Sequence, residues 1–389
     1  MRPVKRVAGA AALVLTAGVL YFFFFLAAAA ESRINTVAAV PPYAASDRAR
    51  VLHRQLVVAD LHADTLLWDR DLLARSVHGH VDVPRLLEGN VALQAFTIVT
   101  KAPRDIRLEN NDARTDVISL LALAERWPVR SWRSLEARAL HQASKLSRAA
   151  AASDGRLTLI TTSSGLRQYL DRRAVTPGIT AALLGVEGAH ALDGRLDNLD
   201  DLFAAGVRMI APTHLADNEL GGSAQGTVRG GLTDMGKALI GRVEARRMIL
   251  DLAHSSPRAF ADAVAIATRP VVVSHTGVAA TCPNGRNLTD DQLRAVAKTG
   301  GLVGIGYWPT ATCGTDAAAV ARAIRHAVAA IGAEHVALGS DFDGAVEQPF
   351  DTTGLVQITD ALLGAGLSEA EIRAVMGGNV IRLFGDLLP

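Results

Sequence analysis

The chain has 389 residues, 49% of them hydrophobic and 20% charged, so a large core can be buried and disorder over most of the length is excluded. Its 40 basic and 39 acidic residues leave a net charge of +1, with no basic stripe carrying interleaved aromatics, which argues against a nucleic-acid partner. Length alone allows two or three average domains, or one large barrel of alternating strands and helices.

Arg2, Lys5 and Arg6 precede an uncharged stretch from Val7 to Ala30. As one helix these 24 residues would span about 36 Å, enough for a bilayer core of about 30 Å. That length favours a transmembrane anchor, yet Ala28-Ala29-Ala30 before Glu31 also resembles a signal-peptidase site, so residues 1–30 read as anchor or signal peptide. Either way the rest of the chain is exported, because the positive flank stays in the cytoplasm. The expected location is the outer side of the cell membrane, or the periplasm or medium if the chain is cut near Ala30. Residues 31–49, with Pro41-Pro42 and several alanines, read as a linker, and residues 50–389 as the folded part.

From there apolar runs alternate with amphipathic stretches. Candidate strands cover 56–60, 91–99, 181–186, 208–212, 248–252, 270–274, 301–305 and 336–340. They are rich in Val, Ile and Leu and do not alternate with polar residues, as expected of strands buried on both faces. Helical spacing marks 197–205, 233–246, 257–267, 289–298 and 315–331; Ser256 before Pro257, and Thr289 with Gln292, are candidate caps. The alternation predicts a (β/α)8 TIM barrel. Residues 101–180 are too many for an ordinary loop and form an inserted helical region: two helical patterns flank Trp127-Pro128, and a short strand at 157–161 is placed outside the barrel. Residues 352–384 read as closing helices, with no second domain after Asp341.

In such a barrel the reacting groups gather at the C-terminal ends of the strands. Four of the apolar runs end on potential metal ligands: His62 and Asp64, Glu187, His254, and His275. In H-x-D the two-residue period of extended backbone turns His62 and Asp64 to one side. Glu187 closes so apolar a strand that its charge needs a partner, and a carboxylate with two oxygens can bridge two ions. Imidazoles combined with carboxylates are a borderline set suited to zinc. Asp341, in G-S-D-F-D-G, is the candidate general base, with Asp343 assigned to structure. His214 could hydrogen-bond an oxygen that becomes negative, and Arg286 suits a substrate carboxylate. His190 is a candidate for orienting Glu187; the remaining histidines are taken as structural or solvated. Cys282 and Cys313, the only cysteines, lack the spacing of a zinc or redox motif; a disulfide and two inert thiols both stay open.

The motifs D-L-H-A-D (60–64), H-V-D-V-P-R-L (80–86), L-L-G-V-E-G-A-H (183–190), T-H (213–214), D-L-A-H-S-S (251–256), V-S-H-T (273–276), R-N-L-T-D-D (286–291), G-S-D-F-D-G (339–344) and M-G-G-N (376–379) occur in an order that resembles the renal or membrane dipeptidase family, zinc peptidases of the amidohydrolase-like barrels. The resemblance covers roughly residues 50–384. It implies a barrel of the metal-dependent hydrolase type with two zinc ions per chain, one held by His62, Asp64 and Glu187 and the other by Glu187, His254 and His275. It further implies that His214 stabilises the scissile carbonyl, Arg286 receives the C-terminal carboxylate of a dipeptide, Asp341 handles the proton, and Cys282 and Cys313 form a cystine. It also allows a homodimer. The segment after His214, L-A-D-N-E-L-G-G-S-A-Q-G, departs from the Asn-Thr-Pro-Trp stretch of the animal enzymes. L-E-G-N-V-A-L-Q-A-F likewise replaces a glycine-rich Q-F-W-S pattern, which puts the shape of the pocket in question. No hydrophobic tail follows Phe384, so anchoring is expected at the N-terminus.

The expected function is therefore an exported dinuclear zinc dipeptidase, accepting dipeptides that include ones with a C-terminal D-residue, in which a hydroxide bridging the ions attacks the peptide carbonyl. Competing readings are another metal-dependent amidohydrolase, acting on a lactone, a cyclic amide or an N-acyl amino acid, and an exported binding protein without catalysis.

Overall fold

The computed structural model describes residues 2–389, with the side chains of residue 7 and of residues 10–389. Eight parallel strands form one curled sheet: β1 (Val58–Ala63), β2 (Val91–Val99), β4 (Thr180–Glu187), β5 (Val207–Ile210), β6 (Ile249–Leu250), β7 (Val272–Thr276), β8 (Leu302–Ile305) and β9 (Val336–Leu338). Their order is β6-β5-β4-β2-β1-β9-β8-β7, and the two outer strands meet through a bridge between Asp251 and Val272. Consecutive parallel strands linked by helices give the TIM-barrel-like fold. β3 (Leu157–Leu159) lies off this path; it pairs with the first residues of β4, below the point where β5 joins at Leu184, and so stays outside the barrel as expected.

Packing follows the two-residue alternation of buried strands. Along β4, Ala181 and Leu183 join a cluster with Met209, Ile249, Val272 and Phe384 of the C-terminal helix, whereas Ala182, Leu184 and Val186 pack with Leu239 and Ile324 of the surrounding helices. Glu187 has the parity of Ala181 and Leu183, which fixes the face it leaves by. β8 and β9 close on β7 only because Gly304 and Gly339 lack side chains; a Cβ at either would overlap the carbonyl oxygen of Ser274.

Several boundaries move. β1 starts two residues later than expected and runs to Ala63, so His62 sits inside the strand, and β6 keeps only two of five expected residues. The helix starts are held as anticipated: Ser256 caps Pro257–Ile266, and Thr289 with Gln292 forms a capping box on Asp290–Lys298. Residues 101–180 contain three helices, one more than the two expected: Ile118–Ala124, Leu135–Ala152 and Ser163–Val175.

The N-terminus differs most. The apolar stretch is not one helix: α1 (Arg2–Phe24) and α2 (Leu26–Ile34) are bent by 55° at Phe25, and among the described residues no single helix is long and apolar enough to cross a membrane. The segment after it is no free linker. Ala38 and Ala39 donate backbone hydrogen bonds to Gln348 and Pro349, Tyr43 is buried against Phe350, and α3 (Asp47–Arg54) starts before residue 50. Charge and aromatic area at Glu31, Asn35 and Tyr43 find buried partners, and this outweighs the flexibility that proline and alanine content suggested.

Candidate metal centre

Glu187, the last residue of β4, stands at the focus of the barrel mouth. Its Oε1 lies 2.9 Å from His254 Nε2, 3.3 Å from His275 Nε2 and 3.6 Å from His62 Nε2, and its Oε2 lies 3.1 Å from His214 Nε2. His62 Nε2 also faces Asp64 Oδ1 at 3.5 Å and Asp341 Oδ1 at 4.0 Å. Three overlapping groups result, each close enough for one cation: His62 with Glu187 and His275; Glu187 with His214 and His254; His62 with Asp64 and Asp341. All five sequence-predicted ligands, with His214 and Asp341, are thus brought together, and His214 stands nearer to Glu187 than its assigned role required.

The donor set fits a metal on a test independent of the count. His62 Nε2 and Glu187 Oε1 are buried without a hydrogen-bond partner, and His254 Nε2 and His275 Nε2 face each other at 2.9 Å. Buried imidazole lone pairs aimed at one another and at a carboxylate need a cation between them. The far nitrogens are occupied: His254 Nδ1 meets Gln225 Oε1 at 2.7 Å, and Ser274 Oγ meets Nδ1 of His62 at 3.1 Å and of His275 at 3.0 Å. With those Nδ1 atoms donating, each Nε2 presents a lone pair, as a ligand must. Thr97 Oγ1 donates to Asp64 Oδ1 at 2.6 Å.

Burial dominates the electrostatics. It pushes Glu187 up to about 7 and raises Asp341 well above the ordinary carboxylate range, and it holds His214, His254 and His275 well below the ordinary imidazole value. At His62 burial is outweighed by Glu187 and Asp64, which raise it far above that value. Protonation there does what a cation would do, placing positive charge among the buried carboxylates of Asp64 and Glu187 and the partly exposed one of Asp341. Two of the site residues, His254 and Asp341, adopt left-handed backbone with φ of 61°, a conformation costly for side-chain-bearing residues and concentrated at functional sites.

Arg286 lies in the loop after β7, buried, over the ring of Trp308, donating to the carbonyl of His275 at 2.9 Å. Cys282 and Cys313 are disulfide-bonded across that loop. Asp343 is structural: it accepts from Thr65 Oγ1, from the backbone of His80 and from Arg70, which together with His80 holds its carboxyl well below the usual range against the effect of burial. His190 does not orient Glu187. It makes no hydrogen bond to it, and burial lowers it to about 4. Sequence reasoning missed Ser274 and Gln225; Ser274 adjoins a ligand, whereas Gln225 sits in an aperiodic loop with no local signal.

The family model for membrane dipeptidases, peptidase family M19, matches residues 46–387. The chain belongs to this family. Among its relatives, dipeptidase aclJ of Aspergillus oryzae is 35% identical over 222 residues, 54% of this chain and 53% of that protein. Two solved structures share the fold over nearly their whole length: dipeptidase AC, a metallopeptidase of family M19 (26% identity, TM-score 0.70, 86% of this chain and 99% of that one), and a Rhodobacter sphaeroides metallopeptidase bound to a phosphinate mimic of L-Ala-D-Ala (25%, TM-score 0.69, 85% and 99%). This family member is therefore a metal-dependent hydrolase of dipeptides, and the groups at its barrel mouth are ones that could hold a metal ion.

Proposed function

We propose that this dipeptidase is a dinuclear zinc enzyme, exported and attached by its N-terminus to the outer side of the membrane, that hydrolyses L,L dipeptides and dipeptides with a C-terminal D-residue. The observation that supports the two-ion reading is Glu187, whose Oε1 is approached by His62, His254 and His275 while its Oε2 faces His214, so that one carboxylate belongs to two of the overlapping groups. His62, Asp64 and Glu187 would hold one ion and Glu187, His254 and His275 the other; such a pair lowers the pKa of water and polarises a carbonyl. Arg286 receives the substrate carboxylate through its planar guanidinium and so measures the distance from the chain end to the scissile bond. His214 hydrogen-bonds the carbonyl oxygen as negative charge develops on it. Asp341 Oδ1 takes the proton of the attacking water and returns it to the leaving amine. Tolerance of a C-terminal D-residue is supported by the L-Ala-D-Ala mimic held by the Rhodobacter relative. Export and attachment are supported by the basic flank of α1 and by its bare apolar surface, where Val7, Leu13, Val14 and Leu15 are each at least 70% exposed.

The test is hydrolysis of a panel of L,L and L,D dipeptides with and without chelator, alongside metal analysis. Two ions per chain and chelator-sensitive turnover are expected. Protein holding two ions that cleaves no dipeptide would sink the assignment.

A further inference from the structure

The cavity above Glu187 is about 600 Å3, and its two halves differ in kind. The floor carries Asp64, Glu187, His214, His254, Arg286 and Asp341. The upper wall is apolar, and part of it belongs to α2: Leu26, Ala27, Ala30 and Ile34 line the same cavity as the metal-binding groups. Those four positions recur at helical spacing, so one face of α2 is turned to the site. Ile106 and Leu121, from the inserted region, line it as well.

The helix is fastened there by charge. Glu31, on the same helix and only 2% exposed, pairs with Arg70 Nε at 2.7 Å and His78 Nε2 at 3.0 Å. Arg70 in turn holds Asp343, two residues from Asp341, and donates to the carbonyl of Val81. Asn35, just past the helix, accepts from the backbone of Ala345 at 2.9 Å. A buried ion pair is costly when either partner is lost, so it fixes one seating of α2 against the mouth.

Two alanines linked as a dipeptide have about eleven heavy atoms; even at the roughly 30 Å3 that a water molecule occupies in the liquid, they fill about half of this cavity. The remaining space is bounded by aliphatic side chains. We propose, on the basis of the dipeptidase reading, that α2 is a specificity-determining wall of the active site: Leu26, Ala30 and Ile34 select dipeptides carrying a bulky aliphatic side chain, with Glu31 as the positioning residue that seats the wall.

The experiment uses the full chain, metal-replete and in detergent micelles, with Ala-Ala and Leu-Leu as paired substrates. For the wild type, kcat/KM for Leu-Leu is expected to exceed that for Ala-Ala roughly ten- to hundredfold, the range that an extra aliphatic group commands in an apolar pocket. Ala30→Trp, which fills the space, and Glu31→Gln, which unseats the helix, should each collapse this ratio, with the loss appearing in KM for Leu-Leu and not in kcat. A ratio that stays within about twofold of the wild-type value in both variants overturns the proposal. Calorimetric binding of the two dipeptides to chelator-treated protein provides a second readout that needs no turnover. If neither dipeptide is cleaved but Leu-Leu binds preferentially to the wild type and not to Ala30→Trp, the wall stands and the dipeptidase reading falls. If binding shows no preference either, both fall.

Discussion

If two ions are held as proposed, Gln225→Leu should weaken the binding of one and spare the other. The Oε1 of Gln225 lies 2.7 Å from His254 Nδ1 and is the group that keeps the imidazole proton off Nε2. Removing such a partner typically lowers metal affinity 10- to 100-fold, about 1.4 to 2.8 kcal/mol. On the proposed two-ion reading His254 belongs to only one of the two sets that share Glu187, so a competitive chelator titration of the variant should show two steps, with only one displaced by that amount. Ser274→Ala is the complementary case: its hydroxyl serves both His62 and His275, one in each of the two proposed sets, so both steps should move. The reasoning would be refuted if Gln225→Leu moved both steps equally, or neither, in protein with unchanged circular dichroism and melting temperature.

Arg286→Ala should lower kcat/KM for dipeptides by about 10- to 150-fold, equivalent to the roughly 1.5–3 kcal/mol of a charge-assisted hydrogen bond; the corresponding dipeptide amides, lacking the carboxylate, should change little in the same steady-state assay. Cys282→Ser with Cys313→Ser opens a link spanning 31 residues of sequence and should cost about 3 to 4 kcal/mol in urea unfolding. A rise in KM should accompany that loss, because Arg286 lies within the spanned segment. His190 is buried and neutral, with its pKa lowered from 6.5 to about 4, so protonation favours the unfolded chain. Its contribution is therefore full above pH 6.5 and is lost as pH falls from 6.5 to 4, by on the order of 3 kcal/mol. His190→Asn should flatten the acid limb of a stability-against-pH curve by that amount.

The barrel was legible because its strands are buried on both faces, which leaves unbroken Val/Ile/Leu runs, and because its ligands sit where those runs stop. Glu187 shows this directly: seven apolar or small residues precede it in β4, and the parity of the strand aims it. Boundaries were less legible where pairing is thin. β6 forms a ladder only at Ile249 and Leu250, although five residues have the composition of a strand. The inserted region and the seating of α2 depend on contacts distant in sequence, such as Glu31 with Arg70 and Asn35 with Ala345, and hydrophobic periodicity carries no trace of them. Gln225 was invisible for the same reason: its loop is folded by Asp217, which accepts from the backbones of Ser223, Val228 and Arg229.

The bridge between Asp251 and Val272 gives the barrel a seam. β6 and β7 meet at this one bridge, reinforced by hydrogen bonds from Leu252 to Val272 and from Ser274 to Asp251; β1 and β9 likewise pair at one position, Asp60 with Leu338, whereas the other neighbouring strands share ladders of two or more pairs. A hoop joined at one stave opens there first, and His254 and His275 flank that joint. An ion held by both would act as a clasp, so that metal binding would tighten the cylinder itself: amide exchange near the seam should slow, and thermal stability should climb with free zinc according to mass action.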